Sequence, residues 1–271
     1  MYALDFEYDN QYLSDYNFII CDFDYSNGSK TANAGSKITF EKVTRNNGKN
    51  NTLVNTKYEE CLQATFAICK NPDFYDNYED RMITNDEFRD LMRWLNRRQF
   101  FKFRFILEDN ETCFYNASFN IETVKVAERL VGLQLTMETD MPFGYREEFK
   151  KKYSFDSTHT SKTLSDISDE IGYIYPNVTI KFLEDVESFT LSNVEQDTTV
   201  SIANCTNGEI ITMQGAEKII STSVNSHNIC NDFNYTFLKI GNTLDNSTNT
   251  LQCSAECEVT ISYHPIIKNP L

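Results

Sequence analysis

Short strand-like segments separated by polar turns fill most of this 271-residue chain. In the second half they recur about every ten residues, the spacing typical of an all-β sandwich or barrel. These segments are 171–183 with a break at Pro176, 188–194, 198–205, 208–215, 218–224, 234–241 and 255–265. Short strands with turn signals at this spacing predict a β-sandwich of roughly 110 residues.

The first half has the same character, with more aromatic residues. Its strand-like segments are 17–25, 37–43, 58–70, 100–108, 113–128 and 129–140. Apolar side chains occupy alternate positions from Leu62 to Ile68, which predicts a half-buried strand. Between the strands we expect a loop over 26–36, a polar loop with an Asn-Gly hairpin signal over 44–56, and a turn over 108–112.

A change of composition over 141–155 marks a candidate domain boundary. This stretch, MPFGYREEFKKKYSF, combines Pro and Gly with a Glu-Glu and Lys-Lys-Lys cluster directly after a strand. Such a shift is typical of a linker. We therefore predict an N-terminal domain over 1–150 and a C-terminal domain over 151–271.

One segment has helical periodicity instead. Residues 84–98 read TNDEFRDLMRWLNRR, with Thr84 as N-cap and Glu87 three positions later, which is a capping box. Apolar side chains recur at helical spacing, so we predict one amphipathic helix over about 84–98 that covers a sheet. Trp94, the only tryptophan, lies beside the apolar stripe. It is interpreted either as a core-edge residue or as a residue facing a partner.

The charge excludes one large class of function. The formal net charge is −15, and such an acidic chain has no electrostatic footprint for holding DNA or RNA. The first residues lack the basic and apolar parts of a secretory signal, and no apolar run is long enough to span a membrane. We therefore expect folding in a cytoplasm, no membrane segment, and eight free cysteines rather than disulfides.

No motif predicts catalysis, a metal or a cofactor. The three histidines, His159, His227 and His264, have no partner at catalytic or metal-ligand spacing. Cys253 and Cys257 are a close pair, but no second pair lies nearby, and we do not expect zinc there. The acidic clusters are Asp5/Glu7/Asp9, Asp22/Asp24 and Asp76/Glu79/Asp80, and 40 acidic residues make such clusters common by chance. We predict that the protein is not an enzyme.

The helix and the strand that follows it resemble a known family. The stretch EFRDLMRWLNRRQFFKFRFILEDNETCFYNASFN, with Tyr115, Ala117 and Phe119 after the turn, resembles the N-terminal domain of phage distal tail proteins, often called Dit. The segments RLVGLQLTMETDMPFGYRE, YPNVTIKF, VSIANCTNGEIITMQGAEKIISTS, FNYTFLKIGNTLDNSTNTLQC and CEVTISYHP continue the resemblance in order. Before the last strand, Gly241 and Asn242 occur without the proline that relatives often have there.

The resemblance implies a mainly β protein with two β-sandwich-like domains. The N-terminal domain would carry the helix and form a hexameric ring at the tail tip, and the C-terminal domain would be galectin-like. Such a ring is a structural hub of the tail tip or baseplate, so the expected location is the virion. The implied partners are the tail tube protein, a tail-tip hub or tail-associated lysin-like protein, the tape measure protein, and a receptor-binding protein or host glycan.

Two further expectations depend on this resemblance. DNA would pass through an acidic lumen without specific binding. Arg97 and Arg98, at the expected end of the helix, are candidate subunit-interface residues that could pair with an acidic neighbour in the ring. The alternative function is carbohydrate binding by the C-terminal domain through an exposed aromatic side chain. Its candidates are Tyr173, Tyr175, Phe182, Phe189, Phe233, Tyr235, Phe237 and Tyr263.

Overall fold

The computed structural model describes residue 3 and residues 5–23, 37–44, 51–107 and 113–268. Over these ranges the protein is mainly β, as predicted. The chain divides into two compact units: unit 1 is Met1–Tyr145 with Ile267–Leu271, and unit 2 is Arg146–Ile266. Among the helices described, none is both long and apolar enough to cross a membrane.

The elements of unit 1 are strands and one well-formed helix. They are β1 Asp5–Tyr8, β2 Gln11–Tyr12, β3 Phe18–Cys21, β4 Ile38–Thr44, β5 Asn51–Tyr58, β6 Gln63–Lys70, α1 Asn85–Leu95, β7 Phe101–Ile106, β8 Cys113–Val126, β9 Arg129–Thr139 and β10 Gly144–Arg146. The main sheet has the order β2-β1-β7-β8-β9-β6-β3, with β10 beside β8. Strands β4 and β5 form a separate two-stranded sheet.

The core of unit 1 lies where α1 meets the main sheet. The ring of Phe6 on β1 stacks on Trp94 at 5.6 Å between centroids and contacts Phe103 at 5.4 Å. Phe119 on β8 lies against Phe103, also at 5.4 Å. Alternate residues of β9 from Leu133 to Met137 are fully buried. The alternation that the sequence shows in these strands therefore separates a core face from an outer face.

Unit 2 is built almost entirely of strands. They are β11 Phe149–Phe155, β12 Ser161–Ser165, β13 Gly172–Ile174, β14 Asn177–Phe182, β15 Val186–Asn193, β16 Thr198–Cys205, β17 Ile210–Gln214, β18 Ile219–Thr222, β19 Ile240–Asn242, β20 Thr248–Cys253 and β21 Cys257–Tyr263, with the helical turn α2 Ile229–Asp232 after β18. The last strand, β22 Ile266–Ile267, pairs with β10 in the main sheet.

Two sheets of unit 2 share one hydrophobic core. Their orders are β11-β21-β14-β17-β18 and β12-β20-β15-β16. Phe182 of the first sheet and Phe189 of the second are both fully buried, with their ring centroids 4.9 Å apart. This arrangement is a β-sandwich, as predicted from the strand spacing. Its closer likeness to a galectin stays a prediction.

The polar loop expected over 44–56 is wrong from residue 51 onward. Residues Asn51–Tyr58 are strand β5, which pairs with β4 in antiparallel register. Strand β4 was predicted, but the two apolar residues near the middle of β5, Leu53 and Val54, are adjacent, so β5 lacks the apolar alternation by which half-buried strands are recognised. The Asn-Gly signal at 47–48, the expected loop over 26–36 and the expected turn over 108–112 lie outside the described residues.

The strand expected over 234–241 is also largely wrong. Only its last residues belong to a strand, β19, which begins at Ile240. Phe237 and Leu238 are nevertheless buried in the sandwich core. A run of aromatic and aliphatic residues predicts burial here, but it does not distinguish a strand from an irregular segment that fills the core.

The stretch interpreted as a linker contains a strand. β11, Phe149–Phe155, pairs with β21 along its whole length, and Tyr153 and Phe155 enter the core of unit 2. Its lysines Lys150, Lys151 and Lys152 are exposed. Because three lysines stand in a row before Tyr153, the strand lacks a clear apolar alternation, and its composition resembles that of a linker. The predicted division after residue 150 falls inside this strand.

Candidate functional site

The first turn of α1 is held by a capping box and by a buried lysine. The Thr84 hydroxyl accepts from the Glu87 backbone N–H, and the Glu87 carboxylate accepts from the Thr84 N–H at 2.8 Å. Glu87 also pairs with Lys70 of β6 at 2.7 Å, and the Lys70 side chain is almost fully buried. Burial acts to raise the pKa of Glu87, but the bonds from Lys70 and Thr84 outweigh it and hold the pKa below its usual value.

Trp94 is a core residue of unit 1. Its indole N–H donates to the Tyr8 backbone oxygen at 3.0 Å, and its ring stacks on Tyr16 at 4.7 Å. Only 4% of the residue is exposed. The aromatic stacking and the satisfied N–H fix the helix on β1, so Trp94 has a structural role within the subunit and does not face a partner.

The helix ends earlier than predicted, at Leu95. Asn96 is the C-cap residue, and its side-chain amide donates to the Phe119 backbone oxygen at 3.4 Å. Arg97 and Arg98 therefore follow the helix instead of forming its last turn. Arg97 pairs with Asp9 at 2.7 Å and lies over the Phe101 ring at 4.8 Å.

The two arginines have different surroundings. Arg97 is half-buried and joins the turn after β1 to the end of α1. Arg98 is exposed, and within the described part of the chain it has no ion-pair partner. A positive charge that is free to meet another molecule at this end of the helix is therefore carried by Arg98.

The β4–β5 hairpin exposes five apolar side chains of unit 1. Phe40 is 53% exposed and Val54 is 63% exposed, and the other exposed apolar residues of the hairpin are Ile38, Val43 and Leu53. Ile38 and Phe40 lie on one face and Val43 on the other, because successive strand residues alternate. Ion pairs Lys37–Glu59 at 2.7 Å and Lys57–Glu41 at 3.2 Å run along the pair of strands.

The N-terminal acidic cluster is engaged in bonds within unit 1. Asp5 accepts from the Ser14 hydroxyl at 2.7 Å, Glu7 pairs with Arg104 at 2.5 Å, and Asp9 pairs with Arg97. In the cluster after β6, Glu79 pairs with Arg129 at 3.5 Å. Asp24 of the middle cluster lies outside the described residues. Among described residues, no group of three or more His, Cys, Asp or Glu side chains could hold a metal ion.

His227 lies in a buried polar cluster that the sequence did not indicate. Its Nδ1 is 2.6 Å from a carboxylate oxygen of Glu209, which is itself buried. Its Nε2 lies 3.2 Å from Asp232 without forming a hydrogen bond. The two carboxylates face opposite nitrogens of the ring, so they cannot chelate one ion together with it. The cluster instead holds His227, in the segment before α2, against Glu209, which lies between β16 and β17.

The other two histidines have local partners. His159 Nδ1 lies 3.1 Å from Asp156, whose carboxylate also accepts from the Thr158 hydroxyl. The bonds from Thr158 and the backbone N–H of His159 hold the pKa of Asp156 well below its usual range. His264 Nδ1 contacts the Arg146 backbone oxygen at 3.1 Å. These contacts organise turns and do not form a catalytic arrangement.

Most aromatic side chains proposed for sugar stacking are in the core. Tyr173 is 56% exposed and Tyr235 is 68% exposed, and Tyr175 is half-buried. The buried candidates are Phe182, Phe189, Phe233, Phe237 and Tyr263. Tyr173 meets Tyr175 edge-on at 5.5 Å, and Lys239 lies over the Tyr173 ring at 4.7 Å.

Comparisons with known sequences identify two family domains. Residues 1–141 match the family described as phage tail protein N-terminal domain, and residues 143–263 match the one described as phage tail C-terminal domain. A search of curated proteins gives no match.

One solved structure has the same fold along nearly the whole chain. The crystal structure of the Dit protein of phage SPP1, described as a paradigm of the hub adsorption apparatus of phages that infect Gram-positive bacteria, superposes with a TM-score of 0.69. It covers 97% of this chain and 99% of that one at 11% identity. The activated baseplate of phage P2 contains a chain with a TM-score of 0.43 and 10% identity, covering 97% of this chain and 98% of that one.

Proposed function

The chain belongs to the phage tail protein family, and on that premise we propose that it is a structural hub of a phage tail tip, with no catalytic activity. In this proposal residues 1–150 form a homohexameric ring and residues 151–271 form the outer domain. The ring joins the tail tube protein and the tape measure protein above to a tail-tip hub or lysin-like protein below. It also anchors receptor-binding proteins. The shared fold with the SPP1 hub protein supports this role.

The observation that carries the ring is the β4–β5 hairpin. An isolated two-stranded hairpin is at best marginally stable in water. This one forms its own sheet and exposes apolar side chains on both faces. Contiguous exposed apolar surface on a well-folded domain marks an interaction site. We infer that a neighbouring copy covers this hairpin, because a closed ring gives every copy the same partner surface.

The end of α1 offers a second contact. The guanidinium of Arg98 is exposed, whereas that of Arg97 already binds Asp9. We therefore assign the proposed salt bridge between subunits to Arg98 first. Arg97 would reach an acidic neighbour only by leaving Asp9, so its contribution to the ring is smaller.

The acidic character of the chain suits a channel for DNA. With a net charge of −15, a ring of six copies presents enough carboxylates to repel phosphates along its lumen. DNA would then pass without specific binding. A cryo-electron microscopy map of the ring tests this point directly, and a neutral or basic lumen would contradict it.

The ring itself is tested with the full-length protein at high concentration. Size-exclusion chromatography with light scattering should give a mass near six subunits, and negative-stain images should show closed rings. A strictly monomeric protein that forms no rings would overturn the assembly, although it would leave membership of the family intact.

Carbohydrate binding by the C-terminal domain is the second candidate. The observation that favours it is the exposed Tyr173 ring beside Tyr175 and Lys239. An aromatic face next to a cation can hold a sugar by stacking and by a polar contact. A glycan array with the full-length protein tests it, with Tyr173→Ala as the variant and Tyr235→Ala as the exposed control. No binding to any glycan would dispose of this function.

A further inference from the structure

Two buried thiols meet at the corner where the chain passes from one sheet of unit 2 to the other. Cys253 is the last residue of β20, and Cys257 is the first residue of β21. Their sulfur atoms are 3.2 Å apart. A disulfide bond is about 2.05 Å long, so the two groups are in thiol contact and close to bonding distance. Only the three residues 254–256 separate them.

The two thiols are not equivalent. Cys253 keeps 5% of its surface exposed, whereas Cys257 is fully buried. The hydrogen bond between them lowers the pKa of Cys253, and together with burial it raises the pKa of Cys257. Since a thiolate is the nucleophile in thiol chemistry, Cys253 is the sulfur that reacts first and Cys257 is its resolving partner.

The other thiols provide a contrast. Burial, with the charge of Glu209 nearby, raises the pKa of Cys205 to about 12, which makes it a poor nucleophile. Cys61 and Cys230 are exposed, so any reagent reaches them without selection. Cys253 combines proximity to a second thiol, residual exposure and a lowered pKa. Cys69 has the same features, because a hydrogen bond with Cys21 lowers its pKa and it is half-buried, so the test below removes it.

We propose that Cys253 and Cys257 are a redox-active pair that a low-molecular-weight disulfide converts into an intramolecular disulfide. The Cys253 thiolate attacks one sulfur of the small disulfide, forming a mixed disulfide and releasing one small thiolate, which takes up a proton. Cys257 then loses its proton, and its sulfur attacks the Cys253 sulfur. The mixed disulfide breaks and the second small thiol leaves. The protein loses two hydrogens and the small disulfide becomes two thiols.

The product would join the two sheets of the sandwich by a covalent bond at one corner. Because β20 and β21 belong to different sheets, the bond restricts their separation during unfolding. This chemistry does not depend on the hub function. Only its timing rests on the proposed function: a tail protein would hold dithiols in a reducing cytoplasm and the disulfide after release.

The test uses the full-length protein carrying Cys61→Ser, Cys230→Ser and Cys69→Ser, which removes the exposed thiols and the second thiol pair. It is incubated with oxidised glutathione, quenched with acid, unfolded, alkylated and digested with a protease that cuts after glutamate. Cleavage after Glu256 places the two cysteines on separate peptides. We expect these peptides to remain joined until a reductant is added, and the melting temperature of the oxidised protein to rise.

Two variants in the same background establish the order of attack. Cys257→Ala should retain one glutathione on Cys253, because no resolving thiol remains. Cys253→Ala should leave Cys257 unmodified in the folded protein. Circular dichroism checks that both variants fold.

If either variant fails to fold, the order of attack is read from samples of the parent protein that are quenched with acid early in the oxidation. We expect the mixed disulfide with glutathione on Cys253 in these samples. Cysteines 253 and 257 that both remain fully alkylatable after prolonged oxidation would overturn the proposal. A glutathione found first on Cys257 would also overturn it.

Discussion

Unit 1 contains two antiparallel hairpins of similar construction and opposite environment. Strands β8 and β9 turn at Ala127 and Glu128, which both have positive φ, and the base of this hairpin lies in the core. Strands β4 and β5 pair equally regularly but expose apolar side chains to solvent. The backbone hydrogen bonds are alike, so the difference lies in what each hairpin buries. One hairpin is buried within the subunit, and the other leaves exposed the apolar surface that we propose a neighbouring copy covers.

The largest effect should come from the buried hairpin. Leu135 of β9 is fully buried, and Leu135→Ala should lower the free energy of unfolding by about 2–5 kcal/mol through lost burial and a cavity. In the exposed hairpin, Phe40→Ala should change the stability of the monomer by no more than about 0.5 kcal/mol. Urea denaturation monitored by tryptophan fluorescence measures the free energy of unfolding of both variants. Equal decreases in the two variants would contradict the distinction between the hairpins.

A smaller, pH-dependent effect is expected at the start of α1. Glu87→Gln leaves the buried Lys70 ammonium without its ion pair and should lower stability by about 1–2 kcal/mol at neutral pH. The pKa of Glu87 in the folded protein lies below its unfolded value of about 4.3. The stabilisation is therefore fully present above about pH 4.3. It should disappear as the pH falls through the folded pKa. Denaturation at a series of pH values checks this.

Lys37→Gln on the exposed hairpin is the matched control for that experiment. Its ion pair with Glu59 is solvent-exposed, and such pairs contribute little to stability. A constant difference between Glu87→Gln and the parent protein down to about pH 3 would contradict the assignment of the Lys70–Glu87 pair.

The smallest effects separate the two arginines after the helix. Arg97→Ala removes the pair with Asp9 and should lower monomer stability by about 0.5–1 kcal/mol. Arg98→Glu should leave the monomer unchanged and weaken the ring. Dilution experiments with light scattering report association, and thermal melts report monomer stability. A ring unaffected by Arg98→Glu would show that Arg98 is only a solvated charge.

Local signals predicted local structure well in this chain. The capping box of Thr84 and Glu87 lies within one turn, and the alternation in β9 reflects its own burial. Strand β5 was not predicted, because it lies outside the core and so shows no apolar alternation. Strand β1 was not predicted either, because its acidic residues conceal the alternation of Phe6 and Tyr8.

Contacts between distant residues could not be predicted from the sequence. Trp94 donates to Tyr8 and Arg97 pairs with Asp9, each across more than eighty residues of chain. His227 appeared to be a loop histidine, yet folding brings Glu209 and Asp232 to its two nitrogens. The spacing of Cys253 and Cys257 was visible, but only the corner between two sheets brings their thiols into contact.

One measurement tests the central claim that the exposed hairpin is the assembly surface. Light scattering is recorded for the parent protein, for Phe40→Glu/Leu53→Glu in the hairpin, and for Leu244→Glu, a residue of unit 2 that is 85% exposed. We predict hexamers for the parent and for Leu244→Glu, and monomers with an unchanged circular dichroism spectrum for the hairpin variant. A hairpin variant that remains hexameric would contradict the account.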